Sequence, residues 1–136
     1  MKVGTFLAAT GIIGVLFGLE FLLAPEFASR QYAPANGVAL DPRSIMTVRF
    51  FGGALLAWGL IAWFSRHTRD AVAVKAVLLG SLIGDVIGAV LALWARLSGV
   101  QNDMAWMSVL IYGAIAAGSA YFLLAHRAPD SPAGAT

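Results

Sequence analysis

The chain has 136 residues, 60% of them hydrophobic and only 12% charged, with a net charge of +2 and a mean hydropathy of +0.81. Soluble domains carry about 25% charged residues, so composition excludes an ordinary water-soluble globule, and the few scattered cations exclude a nucleic-acid-binding surface. There is no cysteine, which rules out disulfides, thiolate catalysis and cysteine-ligated metal.

Four apolar stretches are each long enough to cross a hydrocarbon core of about 30 Å. In lipid every backbone N–H and C=O must be paired within the chain, so these stretches are expected to be helices. The fold class read from the sequence is all-α, a four-transmembrane-helix antiparallel bundle with spans near 3–24, 43–64, 71–96 and 104–125. Residues 1–127 form one domain in this reading, and 128–136, with two prolines and no apolar run, a disordered tail.

The first span, Val3 to Ala24, follows Lys2 and is longer than the roughly 7–15-residue core of a secretory signal, so it is expected to stay uncleaved. Gly4, Gly11 and Gly18 recur every seven residues, and Gly14 makes a GxxxG pair with Gly18, which predicts a close-packing face. Glu20 lies roughly opposite that face, shortly before Pro25 closes the helix. Pro25 to Leu40 is the only sizeable loop, broken by Pro34 and by the Asn36-Gly37 turn signal. Glu26 to Tyr32 within it reads as ordinary connection, the alternative being a short interfacial helix with Phe27 and Tyr32 toward lipid.

Asp41-Pro42 is a good helix start, an acidic N-cap followed by proline at the first helical position. The second span carries Arg49 about two turns in, then a small-residue patch (Gly52, Gly53, Ala54, Ala57), then Trp58, Trp63 and Phe64. Ser65 to Asp70 is a turn, with Thr68 or Asp70 capping the third span. That span holds the strictest pattern in the chain: Ala76, Gly80, Gly84, Gly88 and Ala92 at intervals of four, with Asp85 beside them. Such a row follows one helical ridge and predicts tight packing on a neighbouring helix. Ser98-Gly99 ends the helix, and Asn102 or Asp103 caps the fourth span, which carries Ala114, Gly118 and Tyr121.

Lys2, Arg66, Arg69 and Arg127 flank the spans on one side, with Lys75 close by, against Arg30, Arg43 and Arg96 on the other, which places both termini in the cytoplasm of a bacterial inner-membrane protein. Trp94 and Trp106 on one side, with Trp58 and Trp63 toward the other, fit aromatic belts.

Three charges fall inside spans: Glu20, Arg49 and Asp85. Each costs about 2.5–3.5 kcal/mol at a helix centre and so calls for a partner. Antiparallel neighbours bring Glu20 and Arg49 to similar depth, where they are expected to pair, and Arg49 has the length to reach toward Asp85. The reading adopted is structural, a helix-locking Glu20–Arg49 pair with Asp85 protonated and hydrogen-bonded across the glycine contact. The alternative makes Asp85 a proton or cation coupling site. His67 and His126 sit outside the spans and predict no haem or metal site. The glycines lack the strand–loop–helix setting of a phosphate cradle, and no nucleophile–base set can be assembled. No cofactor is expected.

The segments Gly18-Leu-Glu-Phe-Leu-Leu-Ala-Pro-Glu26 and Arg49-Phe-Phe-Gly-Gly-Ala-Leu-Leu-Ala-Trp-Gly59 resemble a bacterial family of small four-helix integral membrane proteins of unknown function. In helix count and in its Arg-Phe-Phe-Gly run the chain is also similar to the four-helix eukaryotic scaffold that gathers sterol-biosynthesis enzymes. These resemblances imply a fold and leave the activity open. The function expected is a non-catalytic bundle, scaffold or accessory subunit of a membrane complex. Its partners would be membrane lipids and either copies of itself or a larger assembly. Two alternatives stand beside it: a proton- or cation-coupled transporter or channel subunit using Asp85, and a lipid- or isoprenoid-binding protein.

Overall fold

A computed structural model of the chain describes residues 2–34 and 41–125. They form five helices: α1 (Val3–Leu23), α2 (Pro25–Tyr32), α3 (Pro42–Ser65), α4 (Ala71–Leu97) and α5 (Ala105–Ala125). The fold is all-α, and α1, α3, α4 and α5 are each long and apolar enough to cross a membrane, as a multi-pass membrane protein requires. The Asn36-Gly37 turn, His126 and the tail from 128 lie outside the described residues.

The stretch expected to be plain connection is helical. Pro25 takes the first position of α2, where its missing N–H costs nothing, with Glu26 in the first turn and Arg30 in the last, both favourable to the helix dipole. Pro25 and Ala28 are buried beneath it and Phe27 is exposed, but Tyr32 turns inward rather than toward lipid, its ring stacked near Phe21 at 6.4 Å between centroids.

Caps fix the other helix ends. Asp41 Oδ1 accepts from the amides of Arg43 (2.8 Å) and Ser44 (3.0 Å). The Ser44 hydrogen bonds foremost hold the Asp41 carboxyl below its ordinary range. Asp70 does the same for α4 through Val72 and Ala73. Past the end of α4, Gly99 takes a φ of +74°, the left-handed conformation that suits glycine. Arg66 closes α3 by donating to the Trp63 carbonyl at 2.6 Å, its guanidinium 3.7 Å above the Trp63 ring.

The long helices are arranged as two pairs, α1 along α3 and α4 along α5. The first pair is in backbone contact. A Cβ on Gly11 would lie 2.8 Å from the Trp63 nitrogen, one on Gly14 2.8 Å from Gly59 Cα, and one on Gly18 2.5 Å from the Leu56 nitrogen. The reciprocal residues are Gly52 and Gly59, seated against Phe21–Leu22 and Gly14–Val15. Gly53 has open space around it.

The α4 row behaves differently from the tight helix contact expected of it. Gly84 is exposed with nothing within 4 Å, Gly80 receives the edge of the Trp58 indole and Gly88 the ring of Tyr112. The physical reason is that two rings occupy the space that a second backbone would need. Gly80 and Gly88 therefore seat aromatic side chains, and Gly84 faces outward.

The two pairs meet chiefly at one end. Phe6 and Leu7 of α1, Val74, Val77 and Leu78 of α4, and Ile115 and Phe122 of α5 form one buried cluster. Phe6 and Phe122 lie 5.3 Å apart between ring centroids, and Gly118 leaves the room that Phe6 fills. Beyond this plug the pairs diverge.

Candidate functional site

Where the pairs diverge they leave between them a partly open hollow of about 700 Å³. One wall is Thr10, Ile13, Gly14, Phe17 and Phe21 of α1 with Val48, Phe51, Leu55 and Trp58 of α3. The other is Asp85, Gly88, Leu91, Ala92 and Trp94 of α4 with Ser108, Ile111, Tyr112 and Ile115 of α5. Ser29 and Tyr32 of α2, followed by Ala33 and Pro34, roof the end opposite the plug. The lining is mostly aliphatic and aromatic, the usual character of a small-molecule pocket.

The roof is tied down by Asn102. Its Nδ2 donates to the carbonyls of Gln31 (2.7 Å) and Ala33 (2.8 Å), its amide donates to the Tyr32 carbonyl (3.0 Å), and its Oδ1 accepts from the Met104 amide. One asparagine thus starts α5 and pins the end of α2 to it. A weaker contact joins Ser108 to the Tyr32 hydroxyl at 3.4 Å.

Asp85 lies midway along α4, 9% exposed, and lines the hollow. It has no hydrogen-bond or ion-pair partner among the described residues, and no Lys, Arg or His lines the hollow with it. The buried hydroxyls of Ser81, one turn away, and of Ser119 also lack partners. The antiparallel register that sets Gly88 against Tyr112 puts these two serines at one level, between Asp85 and the apolar plug.

The three intramembrane charges do not come together. Glu20 does not pair with Arg49; it accepts a hydrogen bond from Gln31 Nε2 instead. The cause is α2, which folds back along α1 and brings Gln31 to the Glu20 carboxylate. Arg49 is exposed and lines a separate groove with Leu23, Glu26, Phe27 and Arg30, so it does not serve Asp85 either. Among the described residues the one salt bridge joins Arg96 to Asp103 at the α4–α5 turn. No three His, Asp or Glu side chains converge among the described residues as a metal site requires.

Comparison with protein-family models, with curated proteins and with solved structures finds no match. Residues and geometry alone therefore carry the functional argument.

Sequence reasoning missed Trp58, Tyr112, Tyr32, Gln31 and Asn102 as parts of this site. Only Asn102 carried a usable signal, as a cap candidate. The inward turn of Trp58 and Tyr112 has none, because α3 and α5 carry other aromatic residues that are exposed, Phe50, Phe64, Trp106 and Tyr121 among them.

Proposed function

We propose that the chain is a non-catalytic protein of the bacterial inner membrane, with both termini cytoplasmic, that holds a small apolar or amphiphilic molecule between its helix pairs. The observation that carries this reading is the hollow itself. Its volume lies within the roughly 300–1,000 Å³ of ligand pockets, and it is walled by rings, plugged at one end and roofed at the other. A bundle of this size that served only to fill space would bring its four long helices together along their whole length, since empty volume forfeits dispersion contacts.

The scaffold reading rests on the outward α4 face around Gly84, Ile83, Val86 and Ile87, but acyl chains cover such a face as well as a partner does. The transport reading has Asp85, Ser81 and Ser119 in its favour and the Phe6–Leu78–Phe122 plug against it, since the plug is apolar among the described residues.

The test is native mass spectrometry of the protein released from nanodiscs. A bound small molecule is expected on the wild type and should be lost from Ala92→Phe, which fills the hollow from a buried wall position, while helical content is kept. Equal retention by both proteins would overturn the reading.

A further inference from the structure

Within that reading, on which this inference rests, we infer that the molecule held in the hollow is a lipophilic cation, such as a long-chain ammonium, with Asp85 as its counter-ion. A carboxylate in the middle of a membrane span is costly unless something offsets it. The protein offers Asp85 nothing from its own described side chains: no hydrogen bond, no ion pair and no cation in the lining. The one arginine within the spans that sequence spacing brings near it, Arg49, sits in the other groove.

The walls are complementary to positive charge. Tyr112 packs against Gly88, less than one turn from Asp85, and Trp58 and Phe17 face the same space. Aromatic faces carry a negative quadrupole that attracts ammonium groups, most strongly where water is excluded. The aliphatic remainder of the lining, Ile13, Leu55 and Leu91 among it, suits a hydrocarbon body attached to the charged group.

The experiment uses the full chain in phosphatidylcholine nanodiscs, whose net-neutral lipid does not itself concentrate cations. Binding of dodecyltrimethylammonium is compared with that of its uncharged isostere, in which tert-butyl replaces trimethylammonium. The cation is expected to bind the wild type about tenfold or more tightly than the isostere. That preference should vanish in Asp85→Asn and return in part in Asp85→Glu. Should both probes bind alike to wild type and Asp85→Asn, the cation is refuted while the ligand-binding hollow stands. Should neither probe bind or compete with an endogenous ligand, the hollow reading and this inference fall together. If Asp85→Asn does not fold, the two probes on the wild type decide alone.

Discussion

A methyl group added at Gly59 would meet the Val15 amide nitrogen at 2.6 Å, whereas one added at Gly84 would meet nothing within 4 Å. Overpacking of a close backbone contact typically costs about 1–3 kcal/mol, so Gly59→Ala is expected to lower resistance to thermal unfolding in micelles by that order. Gly84→Ala should be neutral or slightly stabilising, because alanine favours a helix over glycine by about 0.5–1 kcal/mol. Unfolding curves of the two variants, run side by side, check both statements. Sequence spacing alone does not separate these glycines. The α4 row is the more regular of the two, yet the contact forms on α1 and α3, where Gly52 and Gly59 repeat at seven residues as Gly11 and Gly18 do. Matching intervals on two helices carry more information than a perfect interval on one.

At the scale of elements, α2 and the start of α3 each hang on one side chain. Replacing Asn102 by alanine removes the hydrogen bonds to Gln31 and Ala33 and leaves their carbonyls in partly buried surroundings, a loss of about 1–3 kcal/mol. Amide exchange at Gln31 and Tyr32 should quicken in Asn102→Ala while exchange in α4 stays as it was. The cap on α3 is sensitive to acid. The Asp41 carboxyl is held in its ionised form by the Ser44 and Arg43 amides, so it titrates lower in the folded chain than its unfolded value of about 3.9. Its contribution is complete above that value and is lost as pH falls through the lower, folded one. Protection factors at Arg43 and Ser44 should therefore fall together with pH in the wild type. They should start low and stay flat in Asp41→Ala, which has no cap acceptor, and stay near the wild-type level without the acid loss in Asp41→Asn. The four spans were legible because an apolar run of span length admits few alternatives in lipid. The helix α2 was not, being too short for a periodic pattern to establish itself and composed of residues equally at home in a turn.

For the whole molecule, apolar residues cover every side of α1, α3 and α5, so no amphipathic face marks which surface turns inward. That is why Asp85 was conspicuous in the sequence while its surroundings were not: a charge in an apolar run announces its cost, and a tryptophan or tyrosine among other apolar residues announces nothing. The Glu20–Arg49 pair failed for a related reason. Equal depth is necessary for two side chains to meet but not enough: Gln31 of α2 takes the Glu20 carboxylate, and Arg49 turns to a separate groove. Spin labels at the exposed positions Phe50 of α3 and Leu97 of α4 would report the separation of the two pairs. That separation should grow in Gly80→Leu and shrink in Trp58→Ala.

The expectation follows from how the Trp58 indole rests on Gly80, 2.9 Å from where a Cβ would stand. One ring on a bare patch of backbone works as a doorstop, setting how far two rigid leaves can swing together. The bore of the molecule, and hence the girth of guest it admits, is then a property of a single wedge, adjustable by one codon without disturbing either leaf.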